Sequence, residues 1–387
     1  MPSTIELLDR LVAFDTTSRN SNLPLVDYVR SVLAGAGIAC ETVSDPTGVK
    51  QGLVATVPDR DGRLAGGVAL SGHSDVVPVD GQPWTRPPFR LTREDGRLYG
   101  RGTTDMKGFV AAALKTLVDA AGESLSRPLH LVLSHDEEVG CKGIRPLLDF
   151  MAAENRLPEV AFIGEPTGMR PVVEHKGKIA LTCRVSGEAG HSSYAAGKVN
   201  AVIEAARLIV HIADTAERIP DREAPDPAYA APNSSLHVGP IRGGEALNMI
   251  PEACAFDFEV RFRPGFDGTG LMEEIKRFAE ARIVPAMRAR NPATGMAWSV
   301  LIDYPAFEAR DGSQAVALAA RLSGVNATAK VDYGTEAGIF AERGIDSVVI
   351  GPGSMAQGHQ PDEFIEIGQI ERAERFLSRL VADLKSG

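Results

Sequence analysis

Four short apolar runs in this chain each lead straight into a polar motif, and that repetition limits the folds open to it. Gly67-Val68-Ala69-Leu70-Ser71-Gly72 runs into His73-Ser74-Asp75-Val76-Val77-Pro78, and residues 129–133 run into Ser134-His135-Asp136-Glu137-Glu138. Val160-Ala161-Phe162-Ile163 ends at Gly164-Glu165-Pro166-Thr167, and Ser347-Val348-Val349-Ile350 at Gly351-Pro352-Gly353-Ser354. Short apolar runs bounded by turn residues read as buried strands. Between them lie helical patterns: Leu25, Val26, Val29, Val32 and Leu33 after Asn22-Leu23-Pro24, an alanine-rich apolar stretch from Gly108, and a stripe of Ile370, Ala373, Phe376, Leu377, Leu380, Val381 and Leu384. Strands alternating with helices predict an α/β domain with a mostly parallel sheet. In such sheets ligands gather beyond the carboxyl ends of the strands, which is where each polar motif falls.

Near Lys176 the pattern changes. A strand with alternating faces over 179–185 is followed by the loop Gly187 to Tyr194, a helix from about Asn200 and a proline-rich loop. Strands near 236–238 and 255–262, a helix over 271–281 and a last strand over 298–307 complete a β-α-β-β-α order. This predicts a smaller α+β domain of ferredoxin-like type inserted into the first. The expected domains are 1–176, 177–309 and 310–387, the outer two forming one catalytic unit.

The chain has 387 residues, enough for two domains, and a net charge of −10, which argues against nucleic acid as a partner. No apolar stretch approaches a membrane span, and Met1-Pro2-Ser3-Thr4-Ile5-Glu6 lacks the basic start of a leader. Four scattered cysteines without a C-x-x-C pair are expected to be reduced, in a cytoplasmic protein.

The stretch Tyr99-Gly100-Arg101-Gly102-Thr103-Thr104-Asp105-Met106-Lys107-Gly108-Phe109 places one carboxylate, Asp105, on a glycine-rich turn at a helix entrance. A carboxylate satisfying helix N–H groups is one account of it. His73, Asp105, Glu137, Glu138, Glu165 and His359 all sit at predicted strand ends or adjoining loops. Singly, each has an ordinary alternative: a core histidine, a solvated acidic pair, a turn anchor before Pro166, an exposed loop residue. Together, carboxylates and imidazoles suit zinc, manganese or cobalt, and four buried carboxylates would repel one another without a cation.

These segments, with His359-Gln360-Pro361-Asp362-Glu363, resemble the dinuclear zinc amidohydrolase and peptidase family, which includes deacetylases, desuccinylases and aminoacylases of N-acyl amino acids. The resemblance covers essentially the whole chain. It implies two zinc ions per chain, for which cobalt can substitute. Asp105 would bridge them, His73 and Glu165 would complete one site, and Glu138 and His359 the other. Glu137 would be the general base, and Asp75 would orient the His73 ring. The inserted domain would be a lid and dimerisation domain in a homodimer. His191 would stabilise the oxyanion across the dimer, with Asn248 and Arg261 on the substrate carboxylate and the Gly353 turn offering N–H groups to it. The ordinary alternatives for these three are a surface loop histidine, a turn asparagine and a strand arginine paired with an acid.

Gly190-His191-Ser192-Ser193, Gly334-Thr335-Glu336-Ala337 and His359 to Phe364 resemble the acetylornithine branch more than the desuccinylase branch. The expected reaction is therefore removal of the acetyl group from N2-acetyl-L-ornithine in arginine biosynthesis. Glu336 is either a partner for the ornithine ammonium or a first-turn glutamate favoured by the helix dipole. Succinyl-diaminopimelate, a broader N-acyl amino acid range, and a non-catalytic metal-binding protein on the same fold are the alternatives. No G-x-S-x-G elbow is present, and Asp105 stands where a dinucleotide fingerprint needs its third glycine.

Overall fold

The computed structural model of the protein describes residues 2–386. Met1 and Gly387, which open and close the expected ranges 1–176 and 310–387, lie outside them. The chain divides into two compact units. The larger takes the chain up to Glu174, Glu308–Lys330 and the residues from Thr335 onward; the smaller is His175–Phe307 with Val331–Gly334.

The larger unit is built on a mostly parallel sheet. Its centre runs in the order Leu129–Ser134, Val68–His73, Val160–Ile163, Asp346–Val349, and these four strands are parallel neighbours. All four are buried along their length, which explains why they read as continuous apolar runs rather than alternating ones. The register sets His73 against Ser134, and Ser71 against Ile163. The polar motifs that follow these three strands therefore emerge at one level of the sheet. Gln51–Val57 and Cys40–Ser44 extend it antiparallel beyond Leu129–Ser134.

Helix Gly108–Ala120 is buried nearly all round, as its alanine-rich composition requires. It approaches the sheet so closely that a Cβ on Gly164 would lie 1.9 Å from the Phe109 ring. Only glycine fits at this strand end, immediately before Glu165. The last helix, Ile367–Ser386, buries Ile370, Ala373, Phe376, Leu377, Leu380 and Leu384, and Phe376 meets Phe162 edge-on at 5.2 Å. Helices Thr4–Val12 and Ile144–Ala153 and a small sheet of Thr92–Glu94, Arg97–Tyr99 and Phe364–Glu366 lie outside the expected set. The first helix is closed by a capping box between Ser3 and Glu6, a signature present in the sequence.

The smaller unit has the order β-α-β-β-α-β. Its antiparallel sheet runs Ser235–Gly243, Ala253–Phe262, Gly177–Ser186, Gly295–Tyr304, the ferredoxin-like arrangement. Helices Ala201–Glu217 and Gly268–Phe278 supply Leu208, Ile212 and Ile275 to a core shared with Phe256 and Phe258. Asn200 caps the first helix through its side chain, at the position the sequence predicts. All four cysteines are free thiols. No described helix is long and apolar enough to cross a membrane.

His130, inside the larger unit's sheet, carries a pH dependence. Its Nε2 lies 2.8 Å from the Gly66 carbonyl, so Nε2 holds the proton, and Nδ1 accepts from the Thr56 hydroxyl at 2.9 Å. Burial pushes its pKa down from 6.5 to about 4. The unfolded chain takes up this proton first on acidification. The stabilisation is complete above pH about 6.5 and is lost as pH falls toward about 4. His130→Gln should flatten the stability–pH curve by up to about 3 kcal/mol across that window, measured by chemical denaturation of both proteins. Parallel curves would contradict it.

Candidate metal centre

His73 ends its strand with the ring buried. Its Nδ1 lies 2.9 Å from the main-chain carbonyl of Asp75, which must accept a proton from it. That fixes the tautomer and turns Nε2 toward Asp105 Oδ1, 3.2 Å away, with Glu165 Oε1 at 3.7 Å. The family resemblance implies that Asp75 orients this ring. The atom closest to it is the Asp75 carbonyl, with the carboxylate Oδ1 at 3.7 Å. The carboxylate itself accepts the Glu137 N–H at 3.1 Å, the Glu138 N–H at 3.3 Å and the Ser18 hydroxyl at 2.7 Å. Asp75 thus fixes the main chain of both glutamates.

Asp105 lies in an irregular turn just before helix Gly108–Ala120, with φ −126° and ψ 92°, entered through Gly102 at φ 83°. A Cβ on Gly102 would meet Val76 at 2.7 Å. The Asp105 carboxylate does not cap the helix. Its Oδ1 faces His73 Nε2, and its Oδ2 faces His359 Nε2 at 3.1 Å. His359 also lies 3.2 Å from Glu138 Oε2, while Glu138 Oε1 is buried with no partner. Two donor groups result, His73–Glu137–Glu165 and His73–Asp105–Glu138, each with atoms within 4.8 Å of one another.

The electrostatics of this cluster are those of a site short of positive charge. Burial, reinforced by the Asp105 charge, pushes Glu138 up to about 7 and Glu165 well above the carboxylate range. Burial raises Glu137 as well. His359, bonded to Asp105 and Glu138, is raised to about 10. A divalent ion on the same oxygens would offset the charge that raises these groups. Hard carboxylate oxygens with two imidazoles and an unpartnered buried oxygen fit zinc, manganese or cobalt.

Glu336 and Gly353 belong to the same unit. Glu336 is buried just before helix Ala337–Glu342; its Oε2 accepts from Ser71 at 3.4 Å, and its Oε1 has no partner. Burial raises it to about 7. Gly353 has φ 84°, and its N–H donates to Gln369 Oε1 at 3.3 Å.

His191, Asn248 and Arg261 lie in the smaller unit. His191 pairs with Met249 in a two-stranded ribbon, and its exposed ring contacts the Ser193 hydroxyl at 2.8 Å. The Asn248 carbonyl accepts the Ser192 N–H at 2.9 Å, which brings Asn248 to the base of the same loop. Arg261 donates through Nε to Glu259 at 2.9 Å.

Three residues given no role by the sequence border the cluster. The Cys141 thiol lies 3.4 Å from Glu137 Oε1. Lys50 bonds both the Ser18 carbonyl and the Asp136 carboxylate. Lys107, fully buried, donates to the Phe14 carbonyl at 2.9 Å, and burial lowers it to about 7. A lysine two residues from Asp105 inside an otherwise apolar helix start is a signal for the last; nothing marks the other two.

Residues 69–383 match the model of Peptidase family M20/M25/M40, and the chain belongs to that family. Among curated proteins it is 35% identical to the acetylornithine deacetylase of Myxococcus xanthus over 402 aligned positions, covering 100% of this chain and 99% of that one. It is 33% identical to the acetylornithine deacetylase of Proteus mirabilis, covering 98% and 96%. Among solved structures, the metallo-carboxypeptidase Sso-CP2 of Sulfolobus solfataricus superposes with a TM-score of 0.77 at 16% identity, over 100% and 99% of the two chains. A dinuclear metal-binding peptidase of Bacillus subtilis superposes with a TM-score of 0.66 at 16% identity, over 99% and 98%.

The raised carboxyl groups predict that metal binding expels protons. Calorimetric titration of zinc into metal-stripped protein at pH 7, in two buffers of different ionisation enthalpy, should report about one proton released per ion, with affinity rising with pH. Asp105→Asn should lower metal affinity at least about tenfold. No proton release would mean that the carboxylates are already ionised without metal.

Proposed function

We propose that this protein hydrolyses N2-acetyl-L-ornithine to L-ornithine and acetate, with two zinc ions per chain, as a step of arginine biosynthesis in the cytoplasm. The chemistry rests on one observation: the two oxygens of Asp105 face two different histidines, His73 and His359. A carboxylate so placed could serve two ions: His73 and Glu165 would hold one with it, and Glu138 and His359 the other. The substrate rests on the full-length similarity to acetylornithine deacetylases.

Bound zinc supplies a water of lowered pKa and a Lewis acid for the amide carbonyl. The protein supplies the rest. Glu137, held by its main chain to Asp75, takes the proton of the attacking water. Its carboxyl group, raised by burial, then passes that proton to the departing amine. His191 donates to the oxyanion. Arg261, steadied by Glu259, binds the substrate carboxylate together with Asn248 and the turn at Gly353. The smaller unit serves as lid and dimerisation domain in a homodimer, with His191 acting on the partner's site. Glu336 Oε1 is the acceptor for the ornithine ammonium.

Glu137→Gln should retain both ions and lose at least about a hundredfold in kcat; near-normal turnover would remove Glu137 as base. Mixed dimers of His191→Ala and Glu137→Gln chains should recover part of the activity, since one site combines both intact groups. No recovery in confirmed mixed dimers excludes action across the dimer. On a panel of N-acyl amino acids, N2-acetyl-L-ornithine should give the highest kcat/KM. Preference for succinyl-diaminopimelate would overturn the substrate. Glu336→Gln should raise KM for acetylornithine more than for N-acetylmethionine; equal effects would leave Glu336 a buried helix-start carboxylate.

A further inference from the structure

We infer that the buried ion pair of Arg101 and Glu363 is a positioning device for metal binding, which locks the turn carrying Asp105 to the loop carrying His359. The inference rests on the two-ion reading of the site and concerns residues that bind no metal themselves.

Both side chains are 1% exposed, and Arg101 Nη1 meets Glu363 Oε2 at 2.7 Å. The other carboxylate oxygen, Oε1, accepts the main-chain N–H of Thr104 at 2.9 Å and of Asp105 itself at 3.2 Å. A residue 258 positions away in the chain thus holds the main chain of the bridging carboxylate. The Gly100 N–H adds a bond to the Glu363 carbonyl at 2.9 Å.

Arg101 reaches the histidine loop from the other side. Nη1 donates to the Gln360 carbonyl at 3.3 Å, and Nη2 donates to Gln82 Oε1 at 2.5 Å. Gln82 in turn donates through Nε2 to the His359 carbonyl at 3.0 Å. These bonds matter because His359 has φ 60°, a left-handed conformation that a non-glycine residue keeps only where its surroundings determine it. Asp362, at φ 53°, is fixed likewise: its carboxylate accepts the N–H groups of Thr85 at 3.0 Å and Arg86 at 3.2 Å. The Arg101 guanidinium lies 5.0 Å from the Trp84 ring centre.

Stability alone is a poor reason for this pair. The cost of desolvating a buried arginine and glutamate consumes most of their attraction, and an apolar pair of similar volume packs as well. An apolar pair cannot accept the Asp105 and Thr104 N–H groups or donate to the Gln360 carbonyl. Those are the bonds that set two metal ligands from distant parts of the chain in register, and outer partners of this kind typically govern affinity about ten- to a hundredfold.

Two variants test this. Glu363→Gln keeps the shape but turns an amide toward either the guanidinium or the two N–H groups. Gln82→Ala, at the partly exposed end of the network, loosens His359 and removes one acceptor of Arg101 Nη2 while leaving the Arg101 Nη1–Glu363 contact in place. Zinc affinity of metal-stripped protein is measured by competition with a chromophoric chelator, alongside thermal unfolding of the stripped protein. Glu363→Gln should weaken both ions by about tenfold or more, because Asp105 serves both. Gln82→Ala should weaken one ion by about threefold or more and leave the other unchanged, with the stripped Tm within about 2 °C of wild type. If the wild type binds fewer than two ions, the two-ion reading fails first. If the wild type binds two and Glu363→Gln keeps both affinities, the inference is overturned even where Tm falls. Should Glu363→Gln not fold, Gln82→Ala decides: unchanged affinity for both ions overturns it.

Discussion

Mutual repulsion among Asp105, Glu137, Glu138 and Glu165 is the constraint around which this structure is arranged. Carboxylates crowded at the end of a buried sheet must be neutralised by protons or by a cation. The cluster holds together only if the surrounding main chain prevents them from swinging apart. Asp75 does this for the two glutamates by accepting their N–H groups, and its carbonyl does it for His73 by fixing the ring. Gly164 does it for Glu165 by letting the strand end press against Phe109. The order Leu129–Ser134, Val68–His73, Val160–Ile163 in a parallel sheet brings these ends to one level. A cation bound here would offset the same repulsion that raises the carboxyl groups of Glu137, Glu138 and Glu165.

The parts of this arrangement that follow from periodicity were legible in the sequence. Runs of Val, Leu and Ile of strand length marked the four central strands. The residue after each run marked a strand end, so His73 and Glu165 could be placed without coordinates. Asp105 could be placed on a turn, but not its direction: the same text suits a helix cap, and only the positions of His73 and His359 distinguish the two. Short strands such as Thr92–Glu94 and Phe364–Glu366 carry too few residues for a period to show. Helix Ile144–Ala153 begins without a side-chain cap, whereas the Ser3–Glu6 box at the start of helix Thr4–Val12 is a sequence signal that the expected set of elements passed over.

Charged residues inside the core were the hardest to read, because a charge in a loop ordinarily means solvent. Arg101 and Glu363 stood in plain view within the two motifs that name Asp105 and His359, yet nothing local says that they meet. Their partnership is a long-range fact. The same holds for Asp75: the family resemblance pointed to the ring, while its carboxylate reaches the loop after a different strand. Sequence identifies which groups can ligate a cation; the contacts that aim them are distributed over segments with no pattern in common.

The distance between Asp105 and Glu363 along the chain also bears on how the protein comes into being. The four-strand centre of the sheet includes Asp346–Val349, and His359 follows it, so both arrive late in synthesis. A nascent chain that has emerged only through the smaller unit carries His73, Asp105, Glu138 and Glu165 but neither His359 nor the carboxylate that seats Asp105. Val160–Ile163 takes its parallel neighbour Asp346–Val349 from that later segment. The strand Asp346–Val349 and the residues His359 and Glu363 thus come from one segment, so the larger unit's sheet and its candidate ligand set depend on the same part of the chain.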